Sequence, residues 1–71
     1  MMNLKINMKI EDNNMGACDW VAYLVTKDGE KYITHKNLEH PITDNEIREE
    51  LIQKGYINPK KEDFSIEIKI Q

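Results

Sequence analysis

Cys18 is a thiol that would act as a nucleophile if the fold set His35 beside it to take the proton. A lone cysteine at a strand start is more commonly a small apolar filler, and that is the expectation here. Ser65, the only serine, shares the polar side of a terminal segment with Glu67 and Lys69, and no histidine neighbours it in sequence to serve as base. His35, His40 and Cys18 lack the close-spaced pairs that mark zinc sites. The run EDNNMG offers oxygen ligands at Asp12 and Asn14, but it does not continue into a calcium loop, and no Glu stands at position 23. The three glycines, Gly16, Gly29 and Gly55, are accounted for by turns and a helix stop, which leaves no phosphate-binding loop. The reading therefore expects no catalytic residue, no metal and no cofactor.

Recognition residues are better represented. Trp20, Tyr23 and Tyr32 fall within one predicted hairpin, where aromatics supply anchor area for a protein partner or stacking area for bases. Glu46, Glu49 and Glu50, with Asp44, line a predicted helix and either remain a solvated face or steer a basic partner. Base stacking requires an accompanying cationic groove. Lys27, Lys31 and Lys36 are interleaved with Asp19, Asp28 and Glu30, so that groove is lacking and nucleic acid ranks below protein as a partner.

The elements that must position these residues form one small domain over residues 1–71. A chain of this size buries only about 60% of its unfolded surface, so self-association into a homodimer would add useful burial. The formal charge is −3 with ten Lys and Arg against thirteen Asp and Glu, which argues against non-specific nucleic-acid binding. A single cysteine excludes an intrachain disulfide framework and fits a reduced compartment. No apolar run reaches the roughly 18 residues that span a bilayer, and MMNLKINMKI lacks the apolar block of a signal peptide. The expectation is a soluble cytoplasmic protein.

The helix is the best-specified element. Thr43 and Glu46 have the spacing of a capping box, Ile42 and Ile47 that of a hydrophobic staple, and Gly55 is the stop, with Tyr56 folding back on Leu51. Ile47, Leu51 and Ile52 are the expected buried stripe. Residues 4–10 (LKINMKI) and 64–70 (FSIEIKI) alternate strictly and read as half-buried strands over the helix. They are placed to pair, with Lys5 or Lys9 beside Glu67. Residues 11–16 are a turn, 18–26 and 30–35 are strands joined at Asp28-Gly29, and 57–63 are a loop. A two-residue turn would pair Val25 with Tyr32, and a three-residue turn with a Gly bulge would pair Leu24 with Tyr32. The hairpin is apolar on both sides, with Trp20, Ala22 and Leu24 on one and Val21, Tyr23 and Val25 on the other. One helix covers one face, so the second is covered by a partner, left exposed, or closed by sheet curvature. The predicted fold is α+β: a curved, mainly antiparallel sheet of about four strands, ordered β-β-β-α-β, with the helix on one face.

The run WVAYLVTKDGEKYITHKNLEHPITDNEIREEL resembles the core of the small phage-encoded uracil-DNA glycosylase inhibitors, on Asp28, Gly29, Tyr32, His35 and Lys36. In those proteins an Asp/Gly hairpin leads through a Tyr-rich strand and a His-Lys pair to one helix and a last strand. The chain departs from them at Ile33-Thr34, where they carry an acidic and aromatic pair, and in a helix without aromatics. The N-terminal strand also has no counterpart. The resemblance implies a small acidic protein from a mobile element that blocks a host nucleic-acid-processing or defence enzyme. It would do so stoichiometrically, by occupying a basic site. A non-catalytic protein-binding module is the leading expectation, and a single-strand or RNA-binding module the alternative.

Overall fold

Alternation of apolar and polar residues builds the sheet, and one capped helix closes one side of it. The computed structural model describes residues 2–61 and 63–71. Met1, which opens the alternating N-terminal run, and Glu62, inside the expected 57–63 loop, lie outside the described residues. The chain runs β1 (Met2–Asp12), β2 (Cys18–Thr26), β3 (Gly29–Asn37), α1 (Asp44–Gln53) and β4 (Phe64–Ile70). The sheet order is β3-β2-β1-β4. β2 is antiparallel to both β1 and β3, whereas β4 lies parallel to β1. The result is a mixed α+β sheet. The parallel pair follows from connectivity: β3 already runs with β1, and a helical crossover returns the chain to begin β4 in that same direction. The two terminal strands pair as expected, with Lys5 opposite Glu67. Lys9 instead reaches over β2 to Glu30 of β3 at 2.6 Å.

The core lies between the sheet and α1. Ile6 and Met8 of β1, Ala22 and Leu24 of β2, and Ile33 of β3 meet Ile47 and Leu51 of the helix, with Ile42 and Ile57 at its two ends. The outer ends of the apolar rows emerge from this cover, leaving Ile10 and Ile70 about half exposed. Among the described residues, no helix is long and apolar enough to cross a membrane.

α1 forms as its end signals dictate. The Thr43 Oγ1 accepts the Glu46 N–H at 3.2 Å, and the Glu46 carboxylate accepts the Thr43 N–H at 3.1 Å. Ile42 and Ile47 are both buried, which completes the staple. At the other end Gly55 adopts φ +79°, and its N–H reaches the Ile52 carbonyl while the Tyr56 N–H reaches that of Leu51. That is a Schellman stop, in which a left-handed residue lets the chain cover the last carbonyls. Ile52 does not join the buried stripe and is 38% exposed. On a ten-residue helix the Ile47–Leu51 row faces the sheet, and Ile52 is rotated about 100° away from Leu51. Ile57, expected in a loop, supplies the missing apolar contact instead.

Neither expected hairpin register is adopted. Lys27 and Asp28 are the two loop residues, and Thr26 pairs with Gly29, which takes φ +123°. Tyr23 then lies opposite Tyr32. The register shifts beyond that pair, so that Ala22 faces Thr34 and Ile33 is the extra residue of a bulge. Glycine at the first β3 position relieves the backbone there and moves the turn one residue earlier than the Asp-Gly signal implies. β1 also runs further than expected, to Asp12, before Asp12 and Asn13 accept the N–H groups of Asn14 and Met15 in consecutive Asx turns.

Candidate functional site

Strand alternation turns Trp20, Ala22 and Leu24 toward α1 and therefore turns Asp19, Val21, Tyr23 and Val25 away from it. The face opposite the helix carries the candidate site. Its centre is Tyr23 and Tyr32, directly opposed on β2 and β3, with ring centroids 6.4 Å apart and planes at 77°. This edge-to-face arrangement is a favoured aromatic geometry. Tyr32 is 46% exposed and Val25 37% exposed, so apolar area is left open on this face.

The bulge at Ile33 assembles the rest. Residues three apart on a regular strand project to opposite sides, so Tyr32 and His35 would ordinarily be separated. The extra residue brings His35 opposite Val21 on the side of Tyr32, while Ile33 enters the core. The Tyr32 hydroxyl bonds His35 Nδ1. Glu11, Asp12, Asn13, Asp19, Val21, Tyr23, Tyr32 and His35 line an open recess of about 320 Å³.

Carboxylates dominate the electrostatics of the recess. The Tyr23 hydroxyl donates to Glu11 Oε2. That bond holds the phenol protonated, and with partial burial and the negative charges of Glu11 and Glu30 it pushes the Tyr23 pKa up to about 12. Partial burial, then the charges of Glu50 and Asp19, also raise that of Tyr32. Glu30 accepts Lys9 at 2.6 Å and Asn7 at 2.7 Å, and these bonds, Lys9 first, hold its carboxyl below the ordinary range. Two cations lie near the rings: Lys9 Nζ is 5.0 Å from the centroid of Tyr23 and Lys54 Nζ 4.8 Å from that of Tyr32. Both also have other partners, Lys9 in Glu30 and Lys54 in the Ile33 carbonyl and Glu50.

The six residues singled out from sequence separate into groups. Tyr23 and Tyr32 come together. Trp20 does not join them, because it faces α1, opposite Ile10, and packs half-buried on the core. Glu46, Glu49 and Glu50 share a groove between α1 and β3 with Thr34, His35, Lys36 and Ile42. Glu46 is committed there to the cap and to Lys36 at 3.0 Å; the Lys36 bond, then the Thr43 bonds, bring its pKa down to about 2. His35 borders both the groove and the tyrosine recess. Sequence reasoning missed Glu11, Asp19 and His35 as members of the site. Their one signal was polar placement next to the hairpin, which has no meaning until the register is known.

The catalytic candidates are not assembled. Cys18 is exposed rather than a buried filler, and strand alternation sets it on the Trp20 side of β2, away from His35. Ser65 Oγ donates to Asn3 at 3.0 Å. Among the described residues no group of three or more His, Cys, Asp or Glu is placed to hold a metal ion. Comparison with protein families, with curated proteins and with solved structures finds no match for the chain.

Proposed function

We propose that the chain is a non-catalytic protein-binding module that offers the face opposite α1 to a basic protein surface. The observation that carries this reading is the Tyr23–Tyr32 pair, open to solvent on the face the helix leaves uncovered and bordered by Glu11, Asp12 and Asp19. Tyrosines supply rigid apolar area at low entropic cost, and nearby carboxylates favour a guanidinium or ammonium entering beside the rings. Glu49 and Glu50, across His35, extend the negative border and add to steering of a basic partner. Nucleic-acid-processing enzymes present basic surfaces of this kind to phosphates. The resemblance to uracil-DNA glycosylase inhibitors supports a stoichiometric inhibitor of such a host enzyme. The same tyrosines would serve a single-stranded nucleic acid, but phosphates would meet the carboxylates that border them.

The test is an amide NMR titration of the labelled protein with an arginine-rich peptide and, separately, with a thymidine oligonucleotide. The peptide is expected to shift Tyr23, Tyr32 and His35 with saturation, and Tyr32→Ala to weaken that binding at least tenfold. Saturable binding of the oligonucleotide without the peptide would replace the proposal with nucleic-acid binding. Shifts spread evenly over the surface, or none with either probe, would refute the site.

A further inference from the structure

The sheet has two edges, and they are not alike. On β3 the bulge at Ile33 interrupts the strand, and Lys54 occupies the Ile33 carbonyl. A bulge and a capping lysine are devices that keep an edge from pairing. β4 has neither. It pairs with β1 from Phe64 to Ile70 without a register shift and contains no Gly or Pro. Ile70, at its far end, is 58% exposed.

Backbone geometry settles which groups of β4 point outward. The Met2 N–H donates to the Asp63 carbonyl at 3.2 Å, and the Gln71 N–H to the Met8 carbonyl at 2.9 Å. In a parallel ladder alternate residues bond the neighbour, so the odd-numbered residues of β4 face β1. The N–H and C=O groups of Ile66, Ile68 and Ile70 are therefore directed away from the sheet. The side chains of Ser65, Glu67 and Lys69 project to the face opposite the helix, and those of Ile66, Ile68 and Ile70 to the helix side.

We infer that two copies of the chain associate through β4, antiparallel about a two-fold axis at Ile68, to form one continuous eight-stranded sheet. This does not rest on the proposed function. In that register Ile68 meets Ile68 of the second copy and Ile66 meets Ile70, each as a hydrogen-bonded pair, which gives about six new main-chain bonds. Glu67 meets Lys69 and Lys69 meets Glu67, both as non-hydrogen-bonded pairs, where side chains approach most closely. Neighbouring registers lose the Glu67–Lys69 pairs. An axis at residue 67 opposes Glu67 to itself and one at residue 69 opposes Lys69 to itself, whereas one at residue 66 leaves Glu67 against Ser65 and pairs Lys69 only with Asp63, which precedes the strand. The register at Ile68 is the one in which both charged residues of the strand find opposite partners within it, and the occupant of the edge is a second copy because the pattern is its own complement.

The test is sedimentation equilibrium over a concentration series, with charge variants on the same strand. The unaltered chain is expected to approach twice the monomer mass as concentration rises. Lys69→Glu alone and Glu67→Lys alone each convert both cross-strand pairs to like charge, and each is expected to raise the dimer dissociation constant at least tenfold. An equimolar mixture of the two variants restores both opposite-charge pairs and is expected to recover a 1:1 dimer. Recovery also shows that each variant is folded. Monomeric wild-type chain at all concentrations would overturn the inference, as would a dimer unaffected by either variant, or a mixture that stays monomeric.

Discussion

Leu51 and Ile52 are adjacent apolar residues of one helix, and the structure assigns them opposite fates. Leu51 has no exposed surface and sits in the centre of the core, whereas Ile52 is 38% exposed. Truncation of either to alanine removes three carbons, worth about 2.4 kcal/mol at full burial. At Leu51 the whole of that is lost, and a cavity facing Ile47 and the sheet adds to it, so the expected cost is about 3 to 4 kcal/mol. At Ile52 the partial exposure reduces the transfer part to about 1.5 kcal/mol. No enclosed cavity is left there, and the better helix propensity of alanine returns about 0.4 kcal/mol. Ile52→Ala should therefore cost about 1 kcal/mol. A domain of this length has only about 4 to 10 kcal/mol in total, so Leu51→Ala removes about a third of it or more. Urea titration followed by the fluorescence of Trp20, which packs on the same core, measures both. The midpoints should differ by about 2 to 3 kcal/mol after multiplication by a common slope. Equal costs, or a larger cost at Ile52, would refute this helix orientation and with it the division of the sheet into a covered and an open face.

Thr43→Ala should cost about 1 kcal/mol by removing the cap acceptor, and Thr43→Ser much less, read from the same denaturation curves. Gly55→Ala should cost about 1 to 2 kcal/mol, since Gly55 sits at φ +79° and a side chain is strained there even with open space around it. The Tyr23 pKa is raised to about 12 by folding, so the bonded phenol contributes stability that is complete below pH 10 and is lost as pH rises toward 12. Phenolate absorbance should show this late titration, and Glu11→Gln should move it earlier. Glu46 shifts the other way, to about 2, so its contribution is present above the ordinary carboxylate range and disappears as pH falls toward 2. Carboxyl NMR should find its titration displaced upward in Lys36→Met.

The helix was legible because its signals are local. Thr43, Glu46 and Gly55 each act within one turn of where they stand, and all three behave as their chemistry requires. The terminal strands were legible because strict alternation has one physical meaning once a helix lies over them. The hairpin was not. Its register depends on whether Gly29 ends the turn or begins the strand and on a bulge that absorbs Ile33, and neither is encoded in the alternation of apolar residues. That gap carried directly into the site. Trp20 and Tyr23 are three apart, so their separation onto opposite faces follows from any regular strand. The meeting of Tyr32 with His35 at the same separation requires the bulge. Ile52 departs from the expected stripe because the ten-residue helix buries only Ile47 and Leu51, and Ile57 in the following segment joins the core in its place.

Folding commits one face of the sheet to the helix and only partly covers the other, and the balance of burial decides which is which. The helix takes the row of Ile6, Met8, Ala22 and Leu24, and the bulge sends Ile33 the same way. Val21, on the other face, is nonetheless buried, and the cover available to it is Tyr23, Tyr32 and the polar residues that line the recess. The tyrosines thus already perform one structural task, shielding the sheet, while Tyr32 remains 46% exposed. A pair needed for shielding alone would gain by turning its hydroxyls to water. Instead both hydroxyls are bound to side chains, Glu11 and His35, which fixes the rings in the free chain. Rings held in place lose little further freedom on binding, so the proposed partner would meet anchors already set, and Tyr32→Ala is the change that should remove one.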